Sequence, residues 1–292
     1  VGFVNSGIMQ LKQAISVVMG ANIGTTVTAW LLSLTGIQAD SFLLTILKPT
    51  TFSPVLAFVG IIMLMGSKRR RDVAGILLGF AVLMFGMEQM SGSVKGLAHM
   101  PEFTRLMVLF TNPIFGVLAG AVITAIIQSS SASVGILQAI ANTGVLSYGA
   151  AFPIIMGQNI GTCATAIISA IGANRNAKRV AAVHLLFNLI GTVVFMSVFY
   201  ALEGIFHFDF IYSPISAFGI AVTHTTFNVL ATIMMYPFMS ALEWLARKLV
   251  PDDKKAERFV LLDERLLNTP PVAIQQGRRL AVDMAQHAQQ AC

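Results

Sequence analysis

The sequence predicts an all-α, polytopic membrane protein with inverted repeats, a re-entrant hairpin and broken helices. Its 292 residues are 55% hydrophobic and only 11% charged, whereas soluble domains carry roughly a quarter charged residues. Apolar stretches of the length needed to cross a bilayer, about 17–25 residues, occur at 13–34, 42–66, 73–95, 148–171, 180–201 and 214–242. A segment that occurs twice in the sequence, Asn5–Ala29 and Asn142–Ala166, predicts the repeat.

A different pattern lies between Phe110 and Thr143. Apolar residues 114–127 lead into Gln128-Ser129-Ser130-Ser131, and a shorter apolar stretch, 134–141, follows. Each arm is too short to span a bilayer comfortably, so the pattern predicts a re-entrant hairpin or a broken helix. Such a break survives in hydrocarbon only where protein or a water-filled cavity surrounds it, which favours a functional site. The alternative is that these serines only hydrogen-bond between packed helices.

The repeated segment comprises Asn5–Ala29 and Asn142–Ala166, which align without gaps at a constant offset of 137. Eleven of the 25 positions are identical, and both copies contain Gly-x-Asn-Ile-Gly-Thr-x-x-Thr. At the same offset, the partner of the Gln-Ser-Ser-Ser run would lie nine to six residues before Val1. We therefore expect a first hairpin upstream of this sequence, and we interpret the chain as cut at both ends.

Basic residues predict the orientation of the spans, because cytoplasmic loops carry an excess of Lys and Arg. Counting spans places ten basic residues inside and three outside. The inside set is Lys12, Lys68, Arg69, Arg70, Arg71, Arg175, Lys178, Arg179, Arg247 and Lys248, and the outside set is Lys48, Lys95 and Arg105. The two repeat helices then run in opposite directions, an arrangement that puts the binding site of many transporters near the bilayer midplane.

The composition also predicts the domain organisation. Charged residues concentrate after Glu243, which marks the end of a membrane body near Leu249–Pro251. We predict residues 1–66 as the remainder of repeat 1, residues 67–248 as repeat 2, and residues 249–292 as a cytoplasmic segment. Nucleic-acid binding is excluded despite a pI near 9.6, because the basic residues lie in short clusters between apolar stretches. Two cysteines give no disulfide framework.

The repeated motif is the second candidate site. Gly20 and Gly24, like Gly157 and Gly161, are four residues apart and allow close helix approach. Packing alone does not explain why a buried amide, Asn22 or Asn159, and an i,i+3 pair of threonines recur with them. The pairs are Thr25 with Thr28 and Thr162 with Thr165. Inverted repetition would bring both sets to one pseudo-two-fold axis, which favours a shared cavity.

Two His-x-x-x-Asn motifs follow, His184 with Asn188 and His224 with Asn228. At this spacing both side chains share a helix face. We interpret them as polar pairs that tie adjacent helices together, because a metal site needs more ligands and no Cys, Asp or Glu stands nearby in the sequence.

The chemistry of the hairpin suits both an anion and a cation. The N-terminus of a half-helix favours an anion through its free N–H groups and macrodipole. Freed carbonyls, hydroxyls and the Gln oxygen suit a hard cation such as sodium.

Together these residues resemble the sodium/phosphate cotransporter family. The run Thr124-Ala-Ile-Ile-Gln-Ser-Ser-Ser-Ala, the two Asn-Ile-Gly-Thr helices and His-Leu-Leu-Phe-Asn carry the likeness, which covers about residues 1–245. It is similar to bacterial members with a PhoU-like helical domain, whose opening helix the tail resembles, with helical spacing over 272–289 after Pro270-Pro271.

The resemblance implies sodium-coupled phosphate transport across the bacterial inner membrane, with the C-terminus cytoplasmic and no cofactor besides the coupling ion. The implied phosphate ligands are Gln128, Ser129, Ser130, Ser131, Asn22, Thr25 and Asn159. The implied sodium ligands are Gln128, Ser129, Thr162, Thr165, Thr25 and Thr28. Cys163 stands where the first copy has Thr26, so strict symmetry of ligands is not expected.

Two alternatives stay open at this point. One is a transporter or exporter of another oxyanion, since these residues do not separate phosphate from arsenate or sulfate. The other is an intramembrane serine hydrolase that pairs one of Ser129–Ser131 with His184 or His224. It is disfavoured because no Gly-x-Ser-x-Gly elbow is present and such an enzyme gives no reason for the repeat. The oligomeric state is left open.

Overall fold

The computed structural model describes residues 1–36, 49–66, 70–252 and 270–291, and most of them are helical. The helices are α1 Gly2–Asn5, α2 Leu11–Ser33, α3 Pro49–Met65, α4 Arg71–Lys95, α5 Pro101–Leu109, α6 Pro113–Ile127, α7 Ser130–Ala141, α8 Tyr148–Gly161, α9 Cys163–Ser169, α10 Arg175–Phe206, α11 Ala217–Met235, α12 Met239–Leu249 and α13 Pro270–Ala291. Across these ranges the only β-type pairing is one isolated bridge between Ser147 and Pro214. The all-α prediction is confirmed.

Five helical stretches among the described residues are long and apolar enough to cross a membrane. They are Leu11–Ser33, Arg71–Lys95, Tyr148–Ser169, Arg175–Phe206 and Ala217–Leu249. Each one overlaps a predicted span. The sixth predicted span, 42–66, contains the shorter apolar helix α3, and its residues 42–48 lie outside the described residues, as do Lys48, Lys68 and Arg69 of the charge pattern. The chain is therefore a multi-pass membrane protein.

One bend was not predicted. Helices α5 and α6 meet at 108° across residues 110–112, directly before the first arm of the predicted hairpin. The bend has a local cause, because Asn112 is the N-cap of α6 and its side-chain oxygen accepts a hydrogen bond from the Ile114 N–H at 3.0 Å. Pro113 at the first helical position adds to this start signal.

The chain divides into two compact units. The first comprises Val1–Ala21, Cys163–Gly191 and Ala231–Cys292, and the second comprises Asn22–Thr162 and Thr192–Leu230. Each unit therefore combines separate stretches of the chain. The predicted domain boundaries at residues 66 and 248 are based on the sequence repeat and on the charge distribution. A division by compactness does not test either criterion, so these boundaries stay a prediction.

In the first unit, hydrogen bonds and one ion pair hold the loops next to the helix ends. Asn174 donates to Asn5 twice at 2.7 Å, through its backbone N–H and its side-chain amide. The Arg179 guanidinium is buried and donates to the Val250 carbonyl at 2.9 Å and to Asp252 at 2.6 Å. The helix that the tail pattern predicted is α13, and the two prolines occupy its first turn, where proline is tolerated.

Candidate functional site

The Gln-Ser-Ser-Ser run forms the turn of a helical hairpin. Helix α6 ends at Ile127, and Gln128 adopts a left-handed conformation with φ 58° and ψ 21°. Ser129 is extended, caps α7, and accepts a hydrogen bond from the Ala132 N–H at 3.3 Å. A non-glycine residue in the left-handed region is uncommon and costs conformational energy, and such residues cluster at functional sites.

The two arms fold back on each other. Thr124 Oγ1 in α6 and Ser133 Oγ in α7 are 2.7 Å apart, whereas nine residues of straight helix would separate them by about 13 Å. The hairpin predicted between Phe110 and Thr143 is therefore confirmed, with arms at 113–127 and 130–141 in place of 114–127 and 134–141. At the turn, Gln128 is exposed and Ser129, Ser130 and Ser131 are half-buried, so the polar groups remain accessible.

Glycines bring the first arm against α8 with almost no space between backbones. A Cβ atom on Gly157 would overlap the Val117 carbonyl, and one on Gly120 would overlap the Ile154 carbonyl. Gly161 is similarly close to Ala121. This is the close approach expected of a small-xxx-small pair, and it places the second Asn-Ile-Gly-Thr motif beside the hairpin.

The first copy of the motif has a different environment. A Cβ atom on Gly20 or Gly24 would meet nothing within 4 Å among the described residues. Asn22 is buried, and Thr25 and Thr28 are half-buried on α2. The two copies share a sequence but not a packing partner.

Asn159 lies at the centre of a buried polar contact. Its amide donates to the Ile155 carbonyl at 2.8 Å, and its oxygen lies 3.3 Å from His224 Nε2. His224 must be the donor there, because the Asn159 oxygen can only accept. The motif itself ends α8: the Thr162 hydroxyl donates to the Gln158 carbonyl at 2.8 Å, and α9 begins at Cys163.

The His-x-x-x-Asn interpretation as a helix tie is confirmed. Asn188 and Asn228 each donate to the backbone carbonyl of the preceding histidine, at 3.1 Å and 2.9 Å. Asn188 also donates to the Cys163 thiol at 3.4 Å, which joins α10 to α9. His224 joins α11 to α8. Over the described ranges no group of three or more His, Cys, Asp or Glu side chains is arranged to hold a metal ion.

Nine of the ten predicted site residues belong to the second compact unit. They are Asn22, Thr25, Thr28, Gln128, Ser129, Ser130, Ser131, Asn159 and Thr162. Thr165, in α9, belongs to the first unit and is exposed. The structure groups nine of the residues in one body, and their roles as ligands stay predictions.

Three polar residues in or beside the hairpin were not predicted as site residues: Thr124, Ser133 and Gln158. All three are buried, and Ser133 is hydrogen-bonded to both Thr124 and Gln158. One signal could have found Gln158, since it breaks the repeat by replacing Ala21 between two identical residues.

Two cavities lie elsewhere in the second unit. One of about 460 Å³ is lined by His99, Pro101, Thr104, Arg105 and Val108. Another of about 520 Å³ includes Tyr200, Glu203 and Ser147 in its wall. Neither is lined by a predicted site residue.

Comparison with known proteins identifies the family. The sequence profile described as Na+/Pi-cotransporter matches residues 1–92 and again residues 82–222. The chain belongs to the Na+/Pi-cotransporter family. Each match contains one Asn-Ile-Gly-Thr motif, in agreement with the internal repeat. Na+/Pi-cotransporter membership also makes the chain a transporter and not an enzyme, so the serine hydrolase alternative is excluded.

Two relatives match most of the chain at low sequence identity. The "Uncharacterized protein YqeW" of Bacillus subtilis (strain 168) is 28% identical over 252 residues, which is 86% of this chain and 77% of that protein. The "Putative inorganic phosphate export protein YjbB" of Salmonella typhimurium is 25% identical over 283 residues, 95% of this chain. The chain spans about half the length of that protein, 49%.

A mammalian relative matches a shorter segment. The "Sodium-dependent phosphate transport protein 2A" of Rattus norvegicus is 36% identical over 94 residues, 30% of this chain and 15% of that protein. No solved structure matches the chain.

Proposed function

We propose that this chain carries inorganic phosphate across the membrane together with sodium. Family membership and the relatives named for phosphate transport and phosphate export support phosphate as the substrate. The name of the rat relative supports sodium as the coupling ion. In this proposal the membrane is the bacterial inner membrane, the C-terminus is cytoplasmic, and no cofactor takes part besides the coupling ion.

The observation that carries the proposal is the meeting of two helix ends at the hairpin turn. Helix α6 ends at Ile127 and α7 begins at Ser130, so only Gln128 and Ser129 separate them. The end of α6 presents carbonyl oxygens with partial negative charge, and the start of α7 presents N–H groups with partial positive charge. One turn can therefore hold a cation on one side and an anion on the other.

The absence of formal charge in the hairpin explains why the two ions would bind together. Residues 113–141 include no Asp, Glu, Lys or Arg. A phosphate bound there receives only N–H and hydroxyl hydrogen bonds from the hairpin, and helix ends each contribute about half a charge. Sodium bound at the neighbouring carbonyls supplies the remaining positive charge, so each ion favours the other.

Within the proposed site, phosphate is bound by Gln128, Ser129, Ser130 and Ser131, with Asn22, Thr25 and Asn159 completing its shell. Sodium is bound by oxygens of Gln128, Ser129, Thr162, Thr25 and Thr28. Those residues offer hydroxyl and amide oxygens, the ligand class that hard cations take.

Uptake of radiolabelled phosphate into proteoliposomes tests the function. The full-length natural protein containing this chain is reconstituted, and uptake is followed with an inward sodium gradient or with potassium in its place. We expect uptake to require sodium and to continue against a phosphate gradient. Phosphate uptake of equal rate in potassium would contradict coupling, and uptake of sulfate at the phosphate rate would contradict the substrate.

Export is the second candidate direction, favoured by the name of the Salmonella relative. The same vesicles loaded with labelled phosphate distinguish the two. An exporter that is not driven by sodium releases label whichever way the sodium gradient points, whereas a sodium symporter reverses direction when the gradient is reversed.

A further inference from the structure

A hydrogen-bonded cluster joins three helices behind the hairpin turn. Thr124 Oγ1 in α6 lies 2.7 Å from Ser133 Oγ in α7. The Gln158 side-chain amide in α8 donates to the Ser133 hydroxyl oxygen and to the Ser133 carbonyl, both at 2.9 Å. The exposed fractions of the three residues are 0%, 1% and 3%. The cluster, called here the Gln158 clamp, is thus shielded from solvent.

The orientation of the Gln158 amide follows from its partners. A backbone carbonyl can only accept a hydrogen bond, so the Gln158 nitrogen must face Ser133. The oxygen of the same amide is buried and receives no hydrogen bond from any residue in the described ranges. A buried acceptor without a donor lowers the stability of the folded protein. An apolar side chain at this position would not carry that cost.

The clamp is connected to the turn through the first helical hydrogen bond of α7. The Ser133 N–H donates to the Ser129 carbonyl at 3.0 Å. A displacement of Ser133 therefore moves Ser129, and with it the N–H groups and hydroxyls at the start of α7. Thr124 is linked in the same way, because its carbonyl accepts the Gln128 N–H at 2.8 Å. Both ends of the turn are thus held by residues of the clamp.

The repeat shows that the clamp belongs to one copy only. Gln158 aligns with Ala21, although the residues on either side, Gly157 with Gly20 and Asn159 with Asn22, are identical. Alanine has no side-chain donor, so the first copy cannot form this contact. The difference falls at one position within an otherwise identical five-residue motif.

We propose that Gln158 is a positioning residue that sets the geometry of the second hairpin turn through Ser133 and Thr124, and that the two halves of the transporter are unequal for this reason. This inference rests on the proposed function, since the ligands at the turn are the phosphate and sodium assigned there. In this proposal Gln158 is not a ligand of either ion, because its side-chain nitrogen is used by the Ser133 hydroxyl and carbonyl. The Gln158 side chain holds α7 against α8, so that the second hairpin and α8 move together as a rigid unit.

Replacement of Gln158 by the residue of the first copy tests the inference. In the full-length protein in proteoliposomes, we expect Gln158→Ala to raise the phosphate KM and the half-saturating sodium concentration by about tenfold, as two lost hydrogen bonds would. The maximal rate should change much less. Ser133→Ala keeps the carbonyl acceptor and loses the hydroxyl, so its effect should be intermediate, and the double variant should be less than additive.

Gln138 provides a matched control on α7. It is also buried, its side-chain nitrogen also donates to two carbonyls, those of Ala29 at 2.9 Å and Ala217 at 3.0 Å, and its oxygen also has no donor within the described residues. Gln138→Ala thus removes an equivalent buried side-chain amide, at a position that is not at the turn. We expect it to lower the melting temperature about as much as Gln158→Ala while leaving both half-saturating concentrations within about twofold.

Hydrogen exchange measured by mass spectrometry tests the clamp without transport. Amides of residues 128–133 should exchange faster in Gln158→Ala and remain unchanged in Gln138→Ala. Unchanged exchange there, or equal changes in KM for both glutamine variants, would overturn the positioning role. If the wild-type protein shows no sodium-dependent uptake but the exchange difference is present, the proposed function fails and the clamp stands.

Discussion

At the scale of single residues, the turn depends on two unusual positions. Gln128 adopts a left-handed conformation that glycine adopts more easily, and Ser129 caps α7. Serine caps helices because its side-chain oxygen satisfies an N–H group of the first turn. Glutamine, unlike glycine, does not adopt the left-handed conformation easily. Its presence at this position therefore indicates that the side chain of Gln128 has a role at the turn.

Loss of the Ser129 hydroxyl should affect stability and binding together. We expect Ser129→Ala to lower the free energy of unfolding by about 1 kcal/mol through the lost cap and to weaken phosphate binding. Ser129→Thr keeps a capping oxygen and should retain most of both. Thermal unfolding in detergent and equilibrium binding of labelled phosphate measure the two effects. A threonine variant as impaired as the alanine variant would show that the hydroxyl is not the important group.

A second residue-scale prediction concerns pH. The buried Arg179 guanidinium, which donates a hydrogen bond to Asp252 and attracts its charge, lowers the pKa of that exposed carboxyl below its usual value of 3.8. Because the folded-state pKa is depressed, the ion pair contributes full stability above the unfolded-state pKa and loses it as the pH falls through the folded-state pKa.

The difference in melting temperature between wild type and Asp252→Asn should therefore be constant near neutral pH and should shrink below about pH 4. Glu243→Gln is the control, since the Glu243–Arg247 pair is an i,i+4 surface contact and such pairs contribute little. A difference that did not depend on pH would remove the ion pair as its cause.

At the scale of helices, the sequence predicted those elements that local composition specifies. The break at Gln128–Ser131 was evident because four polar residues interrupt an apolar run. Helix α13 was predicted over 272–289 from its helical spacing, and the structure extends it to include Pro270 and Pro271. The start signal of α6, Asn112-Pro113, is present in the sequence. The bend at residues 110–112 was not predicted, because such a signal marks where a helix begins and not the angle at which it meets the preceding helix.

Contacts between helices could not be predicted from the sequence, for a different reason. Thr124, Ser133 and Gln158 are separated by nine and 25 residues, and nothing in their local patterns brings them together. Their contact depends on the hairpin reversal and on the glycine packing of α6 against α8. The repeat indicated that Gly157 and Gly161 mattered, yet only the structure shows that Gly20 and Gly24 meet no neighbour in the described residues.

The paired glycines supply an element-scale prediction with an internal control. Gly157→Ala places a Cβ atom on the Val117 carbonyl, so α8 must shift, and overpacking of this kind costs about 1–3 kcal/mol. Gly20→Ala meets nothing within 4 Å and should be neutral or stabilising by up to about 1 kcal/mol, because alanine favours the helix. Melting temperatures of the two variants decide the matter, and equal losses would contradict the close packing of α6 and α8.

At the scale of the whole molecule, the family profile matches twice and the Asn-Ile-Gly-Thr motif occurs twice. The two copies of this repeat differ at individual residues. The second copy has Gln158 of the clamp at the position of Ala21 and Cys163 at the position of Thr26. The opposite orientation of the two copies, read from the basic loops, stays a prediction, as does the PhoU-like nature of residues 249–292. Labelling of single introduced cysteines from either side of the membrane tests the orientation.

The central claim is that phosphate and sodium bind side by side at the hairpin turn and favour each other. Equilibrium binding to the purified full-length protein measures this most directly, with labelled phosphate titrated in sodium or in potassium and labelled sodium titrated with and without phosphate. We predict that sodium tightens phosphate binding and that phosphate tightens sodium binding by the same factor, as linkage requires. Phosphate binding of equal affinity in sodium and in potassium would contradict the account.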